Sequence, residues 1–181
     1  MNTALAASSA MVGWVVVERL KDGHPTTLGA ASGVVAGLVA ITPCAGFVDT
    51  WASIVIGLVA GALCFLAISL KFRLGYDDSL DVIGVHLVGG LVGSIILGFF
   101  AHQTVNAAGH DGLFFGGGWG PVGEQSLAAF VTLAYSFVVS LVLAKVLDLV
   151  MGIRVTGEDE AMGLDLSQHA ETAYQWADLG R

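Results

Sequence analysis

The segment from Val82 to Ala101 constrains the fold of this chain most strongly. Apart from His86 and Ser94, every residue in it is apolar or glycine. A run of about 20 such residues is long enough to cross the hydrocarbon core of a bilayer as a helix. The segment therefore predicts an integral membrane protein.

The composition of the whole chain supports this prediction. The chain is 55% hydrophobic and 12% charged, with a mean hydropathy of +0.80, whereas soluble domains carry about 25% charged residues. Its 25 glycines fit the higher frequency of glycine in membrane helices. The formal net charge of −8 and the lack of a basic patch, a phosphate-binding loop and a dinucleotide fingerprint argue against nucleic-acid and nucleotide partners.

Five apolar spans predict an all-α membrane protein with five transmembrane helices. The first two spans are shorter than the roughly 20 residues that a crossing requires, so we expect them to be tilted, broken or shielded by protein. The spans are approximately 4–17, 27–41, 51–70, 82–101 and 127–150.

The basic residues lie on one side of such a five-span topology. The loops 42–50 and 102–126 contain no lysine or arginine. Six of the seven bases fall between the other spans or after the last one, and Lys145, near the end of the last span, can extend its side chain to the same side. Cytoplasmic loops carry an excess of these residues. We therefore expect a multi-pass protein of the plasma (inner) membrane with its N-terminus outside and its C-terminus in the cytoplasm.

Glycines repeat at every fourth position in three of the spans, and such small residues let membrane helices approach closely. The repeats are Gly29, Gly33 and Gly37, then Gly57 and Gly61, then Gly89 and Gly93. Each repeat is a weak signal alone, but together they predict a tightly packed helix bundle.

His86 is the candidate functional residue. Ionisable side chains inside membrane spans are costly, so the functional interpretation, a solute or proton pathway, is favoured over a hydrogen-bonded structural histidine. At 100° per residue, the face around His86 includes several small and apolar residues, namely Val82, Ile83, Gly89, Gly90 and Gly93. Asp81 lies on another side, in the first turn, where we expect it to cap the helix start.

No other catalytic or metal-binding pattern accompanies His86. The other four histidines fall outside the apolar spans, and a single histidine cannot hold a metal ion. The sequence also contains no serine–histidine or paired-carboxylate constellation in the spans. The prediction is therefore a protein that is not an enzyme and needs no cofactor or metal; an intramembrane enzyme is the weakest hypothesis.

Three blocks of the sequence resemble the ammonium transporter family, the Amt/Mep/Rh class, and they occur in the family's order. The segment 28–46 is similar to the eighth helix of the family and the turn after it. The segment 81–86, Asp-Val-Ile-Gly-Val-His, is similar to the signature of the tenth helix. The segments 151–155 and 163–174 are similar to the cytoplasmic C-terminus.

This resemblance implies part of an eleven-helix fold in which helices one to five and six to ten form an inverted repeat. The chain resembles helices seven to eleven, so the repeat is incomplete. Residues 1–152 would form the transmembrane bundle and residues 153–181 a cytoplasmic tail. Family members are homotrimers, and the tail contacts a neighbouring subunit and supports regulation by a PII-type signal protein.

The resemblance also implies a role for His86. It matches the second of two facing histidines that line a hydrophobic pore for ammonium or ammonia, and Thr42, Val82, Gly89 and Gly90 are candidate residues of the pore vicinity. The first histidine comes from the fifth helix, and helices one to six are not represented. The favoured function is ammonium transport as the C-terminal part of such a channel; the alternative is a non-conducting membrane fragment or regulatory scaffold that retains the oligomer and tail surfaces.

Overall fold

The computed structural model describes residues 1–172, and its regular structure is helical. It divides into two compact units, Met1–Thr132 and Leu133–Arg181. The longer helices are α1 (Asn2–Asp22), α2 (Thr27–Ile41), α3 (Thr50–Leu74), α4 (Val88–Phe100) and α5 (Gly120–Met151). Shorter elements are a π-helical turn (Ile83–Leu87) before α4, a 3₁₀ turn (Leu113–Phe115), α6 (Gly157–Met162) and α7 (Leu164–His169).

Helices occupy all five predicted spans, which confirms the all-α membrane fold. Four of them are long and apolar enough to cross a bilayer: α1, α3, the continuous helix Ile83–Phe100, and α5. Helix α2 has 15 residues and the same bounds as the second predicted span, which the sequence already indicated to be shorter than a full crossing. The first span, in contrast, is longer than its apolar pattern, because α1 continues through the polar residues near Arg19 to 21 residues in total.

Glycine faces set the packing of the first unit, as the repeats predict. A Cβ atom at Gly33, Gly37, Gly57 or Gly61 would collide with the backbone of α1, and one at Gly93 would collide with the carbonyl of Ala40 in α2. The helices therefore touch backbone to backbone, which is the contact that favours association where lipid supplies no hydrophobic driving force.

Two buried clusters form the interior of this unit. The first lies around Ile41, Val48 and Ile56, where α2, the turn after it and α3 meet. The second contains Trp14, Ala36, Cys64, Phe65 and Val85. Trp14 and Phe65 meet edge to face, with ring centroids 5.7 Å apart, an arrangement that aromatic quadrupoles favour. Through Val85, the second cluster includes part of the π-helical turn Ile83–Leu87.

Helices α1 and α3 end in the same way. Gly23 (φ 89°) follows α1 and Gly75 (φ 68°) follows α3, each donating its N–H to the carbonyl of the residue four positions earlier, Arg19 and Lys71. Glycine adopts this left-handed conformation without steric cost. The basic residues in both last turns complement the negative ends of the helix dipoles.

In the second unit, α6 and α7 follow the end of α5. Thr156 caps α6 by accepting a hydrogen bond from the N–H of Asp159 at 3.2 Å, and Ser167 Oγ donates to the carbonyl of Gly163 at 3.0 Å. The predicted domain boundary at 152/153 follows Met151, the last residue of α5. The tail block 163–174 and Arg181 extend beyond residue 172, the end of the described chain.

Candidate functional site: the histidine turn

His86 lies in a π-helical turn, Ile83–Leu87, rather than in the regular α-helix that the apolar run predicts. The turn passes into α4 at Val88, whose N–H donates to the carbonyls of Ile83 and Val85. Single π turns within α-helices are rare and occur frequently at functional sites. The hydropathy pattern is the same for both helix types, so the sequence did not reveal this turn.

The residues just before His86 hold the turn against α3. A Cβ atom at Gly84 would collide with the Ile68 side chain, so only glycine fits this approach. Val85 is 5% exposed and belongs to the second buried cluster. Its carbonyl lies 3.8 Å from the Cys64 thiol, which donates a weak hydrogen bond to it. The turn is thus fixed on one side by close packing.

The His86 side chain lies on the opposite, open side of the turn. It is exposed, and so are its apolar neighbours Val82, Ile83 and Leu87. Within residues 1–172, no side chain or backbone group makes a hydrogen bond or ion pair with the imidazole. The arrangement presents one titratable ring on an apolar surface, with both ring nitrogens available to a partner from outside the described chain.

The predicted His86 face, which the sequence left open to a lumen or an adjoining helix, is partly open surface and partly helix contact. Val82 and Gly90 remain on open surface, since no atom lies within 4 Å of a Cβ placed at Gly90. Gly89, however, faces Val39 and Cys64, and Gly93 faces Ala40. The prediction assumed a uniform 100° per residue, and the wider π turn changes the angle between His86 and the residues that follow.

Thr42 is not brought to the histidine turn. It follows the last residue of α2, and its hydroxyl donates to the Leu38 carbonyl at 2.7 Å. Ala40, two residues earlier, already packs beside Gly93, which is seven residues after His86. At 1.5 Å rise per residue, Thr42 is therefore separated from His86 by roughly 10 Å along α4.

Asp81 lies at the helix start, but the capping carboxylate belongs to Asp78. The side chain of Asp78 accepts hydrogen bonds from the N–H groups of Val82 (2.9 Å) and Ile83 (2.8 Å). Asp81 instead forms an ion pair with Lys71 of α3. The carboxylate that accepts the first N–H groups is therefore that of Asp78, because the carboxylate of Asp81 (φ 56°) is engaged by Lys71. Nothing in the sequence pointed to Lys71.

The open imidazole is suited to hydrogen bonding and proton exchange with a small solute. The described residues contain no group of three histidine, cysteine or acidic side chains able to hold a metal ion. A neutral imidazole has one donor and one acceptor nitrogen. Such a ring on an apolar surface can accept a proton from a small hydrogen-bonding solute.

The comparison with protein families decides the identity. The sequence model of the Ammonium Transporter Family matches residues 1–174. The chain belongs to the ammonium transporter family. An ammonium transporter from Mycobacterium tuberculosis (strain ATCC 25618 / H37Rv) is 48% identical over 98% of this chain, and one from Bacillus subtilis (strain 168) is 48% identical over 97% of it. The resemblance seen in the sequence is confirmed.

Solved structures of family members share the fold. Mep2 from Candida albicans superimposes with a TM-score of 0.80 at 33% identity over 87% of this chain. Mep2 from Saccharomyces cerevisiae gives 0.78 at 40% identity over 83%, and a sensor Amt protein gives 0.79 at 30% identity over 92%. The chain spans 38% of the M. tuberculosis protein and 43% of the B. subtilis protein, and 36% of C. albicans Mep2.

Proposed function

We propose that this chain forms part of a membrane pathway for ammonium, and that His86 is the side chain of that pathway. The observation that carries the proposal is the position of His86 on the open, apolar side of a π turn inside a membrane span. The chain belongs to a family of transporters, so this position is consistent with a solute pathway. An ionisable residue inside a membrane span is energetically costly, so its presence favours a functional role. Membership of a transporter family favours a transport role over an enzymatic one.

The proposed chemistry uses the imidazole as a proton acceptor. Moving ammonium out of water into an apolar conduit is strongly unfavourable because its charge loses hydration. If an N–H bond of ammonium breaks and the proton passes to a ring nitrogen, neutral ammonia can continue at lower cost. Potassium has no proton to release, so the same surface discriminates against it. Val82 and Gly90 border this open surface, while Gly89 and Thr42 would act less directly.

A second histidine is needed to complete the pathway, and we assign it to the part of the transporter that this chain does not span. The exposed side of the histidine turn would face that part. Two rings facing each other can share a hydrogen bond that fixes their tautomers. The chain would then act within a homotrimer, with a separately supplied six-helix segment completing each subunit.

The charge distribution supports an orientation for the bundle. Lys71 and Arg73 end α3, Arg19 and Lys21 end α1, and Arg154 follows α5. We place these groups on the cytoplasmic side of the plasma (inner) membrane by the positive-inside rule. Residues 153–181 would then form a cytoplasmic tail, where a PII-type regulator would bind.

Growth at low ammonium tests the proposal. Cells without their own ammonium transporters would express the full chain, with and without a six-helix N-terminal segment of a relative. We expect rescue only with that segment, and loss of rescue in His86→Ala. His110→Ala, a loop histidine, is the matched control and should still rescue.

Two results would contradict the proposal. If both chains insert in the membrane and associate but no combination supports growth, the transport role fails, and a non-conducting scaffold becomes the better explanation. If His86→Ala rescues as well as the unaltered chain, His86 is not the pathway residue.

A further inference from the structure

A lysine near the end of α3 reaches the turn that precedes the histidine helix. Lys71 Nζ donates to the carbonyl oxygen of Asp78 at 2.8 Å and forms an ion pair with the carboxylate of Asp81. The side chains of Lys71 and Asp81 are 14% and 31% exposed. One ammonium group therefore holds two points of the same short turn.

This turn is also where the backbone departs from ordinary geometry. Asp81 has φ 56°, one of two non-glycine residues in the left-handed region among residues 1–172. Such a conformation persists where surrounding contacts impose it. Here the imposing contacts are the Lys71 ion pair and the Asp78 carboxylate, which binds the N–H groups of Val82 and Ile83.

The same residue connects directly to the π turn. The carbonyl of Asp81 accepts a hydrogen bond from the N–H of Val85 at 2.9 Å, and Val85 is the residue before His86. Contacts therefore run without interruption from Lys71 through Asp81 to Val85.

We propose that Lys71 is a positioning residue for His86: by fixing the turn 78–81 it sets the start of the π turn and hence the orientation of the imidazole. The inference rests on the proposed function in one respect, that the orientation of His86 matters for transport. The positioning itself is a statement about structure and is measurable without transport.

The direct test observes the His86 ring. The full chain, labelled with ¹⁵N-histidine and placed in lipid nanodiscs, gives ring signals that His86→Gln assigns. We expect Lys71→Met to shift or broaden the His86 signals and Lys71→Arg to restore them, because arginine keeps the charge and the donors. Arg73→Met is the matched control: it removes a cation from the same helix end that makes no ion pair within residues 1–172, and it should leave the signals unchanged.

A second variant covers the case in which Lys71→Met fails to insert. Asp81→Asn keeps a residue type that tolerates the left-handed conformation but removes the charge that Lys71 pairs with. It should change the His86 signals in the same direction as Lys71→Met. Unchanged His86 signals in either correctly inserted variant overturn the positioning role.

Uptake separates this inference from the proposed function. With the six-helix segment supplied, Lys71→Met should lower the maximal rate of ammonium uptake by about tenfold, as expected when a reacting group is misplaced, with Arg73→Met unaffected. If the unaltered chain shows no uptake while Lys71→Met still moves the His86 signals, the transport proposal fails and the positioning role stands. Full uptake in Lys71→Met together with unchanged His86 signals overturns the positioning role, whereas full uptake with shifted signals overturns only the claim that the orientation of His86 matters for transport.

Discussion

His102 Nδ1 lies 2.7 Å from Asp49 Oδ2 and joins the two loops that carry no basic residue. The backbone adds a second link, because the N–H of His102 donates to the Phe47 carbonyl at 2.8 Å. The His102 ring also stacks on Phe115, with centroids 4.0 Å apart and planes 10° from parallel. One histidine thus fastens the loop after α2 to the loop after α4.

Breaking this link should destabilise the loop pair. His102→Leu and Asp49→Ala are each expected to lower the free energy of unfolding by about 1–3 kcal/mol, the usual cost of leaving a polar group without its hydrogen-bond partner. Thermal unfolding in detergent, followed by circular dichroism, measures it. His110→Leu, in the same loop, should change stability by less than about 0.5 kcal/mol.

A double-mutant cycle isolates the pair. If the side chains interact directly, His102→Leu combined with Asp49→Ala should cost less than the sum of the two single changes. Strict additivity would show that each residue acts through other contacts, such as the Phe115 stack.

The helix contacts at α1 make a second prediction. Gly61→Ala places a methyl group against the Ala10 carbonyl, so the helices must separate. Overpacking of this kind costs about 1–3 kcal/mol. Gly123→Ala is the matched control, because its added methyl meets open space in α5. We expect a lower unfolding temperature for the first variant and no loss for the second; equal effects would contradict the close approach.

The sequence predicted the helical architecture because hydropathy and glycine spacing act locally. Both signals report how each helix meets lipid or its neighbour, and the glycine repeats around Gly33, Gly57 and Gly93 were confirmed as contact faces. The length of α1 was underestimated because the apolar pattern stops at Glu18, a polar residue. In the structure Glu18 is 6% exposed, and its carboxylate accepts a hydrogen bond from Thr26 Oγ1 at 2.7 Å. A partner eight residues away is invisible to a hydropathy window.

The site was predicted less completely for a similar reason. The cost of an ionisable group in an apolar run pointed to His86, and that argument needs no tertiary structure. The π turn and the Lys71–Asp81 pair depend on contacts between α3 and the histidine helix. Uniform α-helical spacing placed Gly89 beside His86 but did not reveal that it packs against Val39 and Cys64.

The Glu18–Thr26 contact supports a third prediction. Thr26 is the N-cap of α2: its hydroxyl accepts from the Gly29 N–H at 2.9 Å and donates to Glu18. Thr26→Val removes both bonds and leaves the buried carboxylate without that donor, so we expect a loss of about 1–2 kcal/mol. Hydrogen exchange at the Gly29 amide should accelerate. Thr27→Val, which makes no side-chain hydrogen bond in the described chain, should leave this amide protected.

Cys44, in the turn after α2, gives the last prediction, which concerns pH. The side chain is fully buried, and its thiol donates to the Gly93 carbonyl at 3.2 Å. Burial raises the pKa of Cys44 from 9.0 to about 12, because desolvation disfavours the thiolate. Below pH 9 the thiol is neutral in both the folded and the unfolded chain, so its contribution to stability does not change with pH there.

Between pH 9 and about 12 the unfolded chain releases this proton while the folded chain keeps it. The folded state therefore loses stability as pH rises through this window. We expect the unfolding temperature to fall less steeply above pH 9 in Cys44→Ala than in the unaltered chain, after correction for the lost thiol contact at pH 7. Alkylation by iodoacetamide at pH 8 should likewise require unfolding, since the thiolate is the nucleophile. Rapid labelling of Cys44 in the folded chain would contradict its burial.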